Sequence, residues 1–159
     1  MTLYLVRHAK AQSYHSEGDA FRELSEGGIL SAQTVANQAY QRGMAPQVFL
    51  SSPYARARST AKIFMETNSS ELQISSALTP DAQLSEAFEE LSSWIKRGRE
   101  RIAVFSHNPF ISLLAAYLTP PQVHRDLNFH TATVAALDFP QGFMPGCGQL
   151  VWILHPAHD

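Results

Sequence analysis

The chain has 159 residues, the length of one ordinary domain, and its 45% hydrophobic and 16% charged residues are typical of a globular protein. Its formal net charge of −2 gives no electrostatic case for binding nucleic acid or an anionic membrane. Its one cysteine, Cys147, excludes an internal disulfide bond and a cysteine-based zinc site. With no signal-type N-terminus and no long apolar run, we expect a single cytoplasmic domain over residues 1–159.

The first third of the chain alternates predicted strands with predicted helices. A short apolar strand covers Leu3–Val6, and a helix with apolar residues at helical spacing follows between an N-cap at Ser25 and a stop at Gly43. The segment "QVFLSS" predicts a second strand. Pro53 is then expected in the first turn of a helix over "PYARARSTAKIFMET", where its missing N–H costs nothing.

The rest of the chain continues this alternation and ends differently. No clear element is predicted over residues 69–85, and a helix is expected near Glu86–Lys96. The segment "RIAVFSH" predicts a third strand and "NPFISLLAAYLT" a helix, whereas "TATVAALDF" and "GQLVWILH" predict a hairpin. The pattern predicts an α/β fold, a three-layer α/β/α sandwich with a mostly parallel central sheet and an antiparallel edge.

Three of the predicted strands deliver charged or imidazole side chains where they end. The first strand ends at Arg7 and His8, the second leads to Arg56 in the following helix, and the third ends at Ser106 and His107. Ligands of open parallel sheets bind outside the carboxyl ends of the strands. We therefore expect these two arginines and two histidines, which are distant in sequence, to share one crevice.

These residue types suit phosphoryl chemistry. Two arginines can fork onto the oxygens of one phosphoryl group, and helix N-termini after Pro53 and Pro109 can add backbone donors. A neutral imidazole can attack phosphorus and hold it covalently, while a second, protonated histidine would stabilise the charge of the transferred group. This chemistry needs no metal, and we expect neither a metal nor another cofactor.

The segments "LVRHAKA", "GDAFRELSEGG", "LSSPYARARSTA" and "VFSHNP" occur in the order typical of one family. The chain resembles the histidine phosphatase superfamily, whose fold is phosphoglycerate mutase-like, and within it the SixA-type phosphohistidine phosphatases that lack a cap domain. The resemblance implies a nucleophilic His8 in a phosphate pocket with Arg7, Arg56 and His107. It also implies that Arg22, in the D-x-x-R-x-L segment, contacts phosphate or substrate, and the alternative role for Arg22 is a structural ion pair with Asp19.

Two positions depart from the common superfamily pattern. Ala9 follows the nucleophile where glycine is more usual, which agrees with the SixA-type branch. The glutamate that serves as general acid in the mutases has no clear counterpart, and Asp81 and Glu86 lie only in roughly the right region. A phosphoramidate nitrogen leaves with less help than an alkoxide, so the missing acid favours phosphohistidine as the substrate.

From the sequence we therefore expect a metal-independent phosphatase. The expected partner is a phosphohistidine-bearing protein such as a phosphotransfer domain, with no nucleic acid and no membrane, and the chain is expected to be a monomer. One alternative is a small-molecule phosphomonoesterase that uses the same site. A second alternative, of another class, is a non-catalytic module that binds a phosphorylated partner.

Overall fold

The computed structural model describes residues 1–68 and 70–157, so Ser69, His158 and Asp159 lie outside the description. Over the described residues, four strands and four α-helices alternate before a final hairpin of two strands. The strands are β1 Thr2–Arg7, β2 Val48–Ser51, β3 Glu71–Ile74, β4 Arg101–Ser106, β5 Val134–Asp138 and β6 Gln149–Leu154. The α-helices are α1 Glu26–Gln41, α2 Ala55–Phe64, α3 Leu84–Lys96 and α4 Phe110–Leu118. Short 3₁₀ turns occupy Asp19–Phe21, Met65–Thr67, Ser76–Leu78 and Pro121–Asp126.

The strands form one mixed sheet in the order β3-β2-β4-β1-β5-β6. The first four of these strands run parallel, β5 runs antiparallel to β1, and β6 runs antiparallel to β5. The predicted mostly parallel sheet with an antiparallel edge is therefore confirmed, and the predicted hairpin is its last two strands. Within the described residues, no helix is long and apolar enough to cross a membrane.

Helices cover both faces of the sheet, which explains why its central strands are apolar without alternation. In β1, Leu3 and Leu5 belong to the apolar cluster that includes residues of α3 and α4. Tyr4 and Val6, on the other face, belong to the cluster that includes residues of α1 and α2. A fully buried leucine contributes about 1.5–3 kcal/mol relative to exposure. This double burial fixes β1 and holds its last residues rigidly.

Two local predictions need correction. Pro53 is not in the first turn of α2, because the helix begins at Ala55 and Tyr54 is its N-cap. The segment without a predicted element contains the edge strand β3, whose side chains are mostly exposed and so lack the apolar run of an inner strand. By contrast, the Ser25 hydroxyl does cap α1 by accepting the Gly28 N–H, and Gly43 follows that helix with a φ of 94°.

Candidate active site

The carboxyl ends of three neighbouring strands meet at one edge of the sheet. The His8 N–H donates to the Ser106 carbonyl over 3.0 Å, which joins the end of β1 to the end of β4. The Ser52 N–H donates to the Phe105 carbonyl over 3.0 Å, which joins the end of β2 to the same strand. Because β4 lies between the other two strands, His107 is flanked by His8 on one side and by Ser52 on the other.

The His8 imidazole is buried, with 8% of its surface exposed, and both of its nitrogens have partners. Nδ1 lies 2.7 Å from the Ala9 carbonyl oxygen, and Nε2 lies 3.3 Å from Nε of Arg56. A carbonyl only accepts and an arginine only donates, so the proton of neutral His8 sits on Nδ1 and Nε2 carries the lone pair. Burial, followed by the charges of Arg56, Arg7 and Arg22, lowers the pKa of His8 to about 4.

The His107 imidazole is more deeply buried, with 1% exposed, and faces His8 across a ring-centroid distance of 5.1 Å. Its Nε2 lies 2.8 Å from the Ser52 hydroxyl, and Tyr54 meets its ring at 5.0 Å in an edge-on arrangement. Burial, and then the charges of His8 and Arg56, lower the pKa of His107 to about 3. Burial and these charges favour the neutral form of His107, whereas a protonated form is expected from the sequence.

Arg56 links the buried histidines to a more exposed loop. Its Nε donates to His8, while its two terminal nitrogens donate to the backbone carbonyl of Asp19 over 2.8 Å and to Oδ2 of Asp19 over 3.1 Å. The guanidinium carbon lies 5.0 Å from the centre of the Tyr54 ring. The Thr60 hydroxyl donates to the Arg56 carbonyl over 2.8 Å and accepts the Ala9 N–H over 3.0 Å. Arg56 is therefore fixed at its side chain and at its backbone.

Arg22 makes the ion pair with Asp19 that was one of its two predicted roles. Its Nε donates to Oδ1 of Asp19 over 2.8 Å, and one terminal nitrogen donates to the Gln12 carbonyl over 2.7 Å. Asp19 thus bridges Arg22 and Arg56, and hydrogen bonds from Arg22 and then Arg56 hold the pKa of its carboxyl below the ordinary value. The Asp19 carboxylate therefore links Arg22 to Arg56, whose guanidinium contacts His8.

An open groove lies beside this ion pair. It has a volume of about 520 Å³ and is lined by Ser13, Tyr14, His15, Gly18, Asp19 and Arg22. The Asp19 side chain is 60% exposed and Tyr14 is 74% exposed, whereas the Arg56 side chain is only 5% exposed. The site therefore has a buried part and an open part that meet at the Asp19–Arg56 ion pair.

Arg7 enters the site from the last position of β1. One of its terminal nitrogens donates to the Phe129 carbonyl over 3.0 Å, and the Asn108 side chain donates to the same carbonyl over 3.0 Å. The helices α2 and α4 also begin at this edge, directly after the ends of β2 and β4. Their N-termini direct the positive ends of their dipoles toward the same side of the sheet as the two arginines and two histidines.

The two acid candidates named from the sequence have other surroundings. Asp81 is exposed and accepts a hydrogen bond from the Thr79 hydroxyl over 3.0 Å. Glu86 is exposed on α3, where it lines a surface groove with Trp94 and Arg97. Over residues 1–68 and 70–157, the hydrogen bonds and ion pairs of His8, His107, Arg22 and Arg56 go to other groups than these two carboxylates. The described residues also contain no cluster of three or more histidine, cysteine or acidic side chains that could hold a metal ion.

Sequence reasoning did not assign a role to two residues that support the site, Ser52 and Thr60. Ser52 could have been found, because it directly follows β2 and lies at the same strand edge as His8 and His107. Thr60 lies one helical turn after Arg56, but its contact with the Ala9 N–H joins distant segments and has no local signal in the sequence. Asp19 was considered only as a partner of Arg22, and its second contact, with Arg56, emerges only from the fold.

Fold and site together define an α/β protein with two histidines and two arginines at the carboxyl edge of its sheet, and comparisons with known proteins find the same architecture. The model of the histidine phosphatase superfamily (branch 1) matches residues 3–80, which include Arg7, His8, Arg22 and Arg56. Over these residues the chain is similar to this superfamily.

Three relatives illustrate the range of similarity. An uncharacterised protein of Picosynechococcus sp. is 28% identical over 141 residues, which cover 86% of this chain and 84% of that protein. The protein histidine phosphatase SixA in complex with tungstate has the same fold, with a TM-score of 0.85, 24% identity and coverage of 98% and 97% of the two chains. A mycobacterial glucosyl-3-phosphoglycerate phosphatase in complex with VO3 has a TM-score of 0.74, 18% identity and coverage of 95% and 98%.

Proposed function

We propose that the chain is a metal-independent phosphatase in which His8 accepts the phosphoryl group and then releases it to water. The observation that carries this proposal is the tautomer of His8. The Ala9 carbonyl holds Nδ1, and the lone pair of Nε2 faces the Arg56 guanidinium. A buried, neutral imidazole with one nitrogen fixed and the other beside a cation is arranged for attack on a negatively charged phosphoryl group.

In the first step, His8 Nε2 forms a bond to phosphorus while the bond between phosphorus and the leaving atom breaks. The electron pair of the broken bond stays with the leaving group, which then takes up a proton. The guanidinium groups of Arg7 and Arg56, together with His107, hold the phosphoryl oxygens and balance their charge. Arg22 is placed to add a further contact from the exposed side, because Asp19 holds it beside Arg56.

In the second step, a water oxygen attacks the phosphorus of phospho-His8. The P–Nε2 bond breaks, its electron pair returns to Nε2, and inorganic phosphate carries away the added oxygen. The His8 ring needs no rearrangement between the two steps, because the Ala9 carbonyl continues to hold Nδ1. This anchoring is an example of preorganisation, in which geometry is fixed before reaction rather than during it.

We further propose that the substrate is phosphohistidine on a protein. The open groove next to Asp19 and Arg22 and the exposed Tyr14 support this substrate, since a protein surface needs an accessible site. The leaving group supports it too. An imidazole nitrogen accepts a proton readily, so its departure does not require a strong side-chain acid. Among the described residues, the exposed Asp81 bonds to Thr79 and the exposed Glu86 lines a different groove. SixA, whose fold this chain shares, is named a protein histidine phosphatase.

The covalent step can be tested by trapping. Wild-type protein is mixed with a histidine-containing phosphotransfer domain that carries radioactive phosphate, quenched in alkali during turnover, and examined for label. We expect label on His8 and release of inorganic phosphate that persists in the presence of a chelator. Replacement of His8 by alanine should remove the label and reduce turnover by at least about 10⁴-fold, as for other catalytic nucleophiles.

The alternatives give different results in the same experiment. A non-catalytic binding module would retain the phosphorylated domain without acquiring label. Near-wild-type hydrolysis by His8→Ala would contradict the covalent mechanism. A small-molecule phosphomonoesterase would acquire label but would show a larger kcat/KM for sugar phosphates than for the phosphorylated domain, and that preference would contradict the proposed substrate.

A further inference from the structure

Three of the four ring nitrogens in the site have hydrogen-bond partners. His8 uses both of its nitrogens, on Ala9 and Arg56, and His107 uses Nε2 on the Ser52 hydroxyl. Nδ1 of His107 is buried and has no partner among the described residues. A buried polar nitrogen without a partner costs about 1–3 kcal/mol. The position of this nitrogen, on a ring 5.1 Å from that of His8, suggests that its partner arrives with the substrate.

The hydrogen bonds of Ser52 determine which nitrogen of His107 carries the proton. The Ser52 oxygen already accepts the Tyr54 N–H over 3.2 Å, and its own hydroxyl supplies one proton. Within the described residues, His107 Nε2 is the acceptor within reach of that proton. Donation from Ser52 to Nε2 satisfies the buried hydroxyl. The opposite arrangement, with Nε2–H donating to Ser52, would leave the hydroxyl proton without an acceptor.

We propose that Ser52 is a positioning residue that holds His107 in the Nδ1–H tautomer, so that His107 binds a phosphoryl oxygen as a neutral hydrogen-bond donor. The phosphoryl oxygen completes the bonding of Nδ1. The positive charge of the pocket is then supplied by Arg7 and Arg56, and His107 contributes an oriented hydrogen bond. This inference deepens the proposed function, because it rests on phosphoryl binding at His8.

The energetic argument supports a neutral donor. Burial and then the charges of His8 and Arg56 lower the pKa of His107 to about 3, which favours its neutral form before a ligand binds. A neutral N–H donor requires no proton uptake when the phosphoryl oxygen binds. Preorganised donors of this kind stabilise developing negative charge at no reorganisation cost.

The tautomer of His107 can be measured without substrate turnover. In protein labelled with 15N-histidine, long-range correlations between ring protons and ring nitrogens identify the protonated nitrogen of His107, with assignments made by comparison with a His107→Asn variant. We expect Nδ1 to carry the proton at pH 7 and its signal to shift when tungstate is added. A proton on Nε2, or protons on both nitrogens at pH 7, would overturn the proposal.

Substitution of Ser52 provides the second test. Ser52→Ala should yield a mixture of His107 tautomers and weaken tungstate binding by about 10-fold, the effect of losing one directed donor to a charged ligand. The matched control is Ser106→Ala. It removes the equally buried hydroxyl of the residue before His107, and this hydroxyl donates to the Leu78 carbonyl over 2.6 Å. The control should keep the wild-type tautomer and affinity.

A Ser52→Ala protein that keeps both the Nδ1–H tautomer and wild-type tungstate affinity would contradict the role of Ser52. If this variant does not fold, the spectrum of the wild-type protein still decides the tautomer. Failure of the proposed phosphatase activity is a separate result, because tungstate binding and the tautomer of His107 do not depend on turnover.

Discussion

The site has two regions that are built in different ways. Its floor consists of His8 and His107, which follow β1 and β4 and are almost fully buried. Its rim consists of Asp19 and Arg22, which lie in the loop between β1 and α1 and are far more exposed. Strand pairing fixes the position of the floor, whereas ion pairs fix the position of the rim. Geometry in the floor is therefore insensitive to solvent conditions, and geometry in the rim depends on them.

Arg56 belongs to both regions, so its replacement should have the largest effect on activity among the substitutions considered below. Arg56→Ala removes one contact with His8 and two with Asp19, and kcat/KM should fall by about 10²–10³-fold, as for loss of a preorganised charged donor. Arg56→Lys should recover little of this activity, because one ammonium group cannot reproduce the arginine fork. Steady-state kinetics on the phosphorylated domain measure both effects.

The same helix offers a matched control for this change. Arg58, two residues further along α2, is exposed. Arg58→Ala should leave kcat/KM close to the wild-type value. Equal losses in the two alanine variants would mean that the effect comes from general positive charge and not from the bridge between floor and rim.

The floor could be predicted from the sequence to a much greater extent than the rim. Apolar strands end visibly at His8 and His107, and the rule that parallel strands share one carboxyl edge brings them together. The loop that carries Asp19 has no such periodicity. The contact between Asp19 and Arg56 joins segments that are distant in sequence, so no local pattern predicts it. The edge strand Glu71–Ile74 was missed for a related reason, since its exposed side chains give no apolar pattern.

Arg22 tests the rim alone and should have a smaller effect. Arg22→Ala should raise KM by about 10-fold with little change in kcat, because an exposed cation contributes less than a buried one. Raising the salt concentration should shrink the difference between Arg22→Ala and wild type, since salt screens exposed charges. It should not shrink the difference between Arg56→Ala and wild type to the same extent.

Asp19 provides an internal check on the rim. Because it accepts from both Arg22 and Arg56, the effects of Asp19→Ala and Arg22→Ala on KM should not add in the double variant. The matched acidic control is Asp81→Ala, since Asp81 is exposed and bonded to Thr79. Strict additivity of Asp19→Ala and Arg22→Ala, or an Asp81→Ala effect of equal size, would show that the rim does not act as one unit.

The last prediction concerns stability, and it distinguishes the two regions by the pH range in which each responds. The ordinary pKa of histidine is 6.5, and folding lowers it to about 4 at His8 and about 3 at His107. The unfolded chain therefore binds more protons than the folded chain below pH 6.5, so the free energy of unfolding falls as the pH falls from about 6.5 toward about 4. His8→Gln removes one of these titrations and should make that decline shallower.

The rim should respond in a different pH range. The pKa of Asp19 lies below its ordinary value of 3.8, so the stability that this carboxylate contributes is present above that pH and is lost as the pH falls further. Asp19→Asn should consequently leave the slope between pH 6.5 and 4 unchanged, while His8→Gln reduces it. Denaturant unfolding at half-unit pH intervals measures both slopes, and parallel curves for wild type and His8→Gln would show that the floor histidine does not fold in its neutral form.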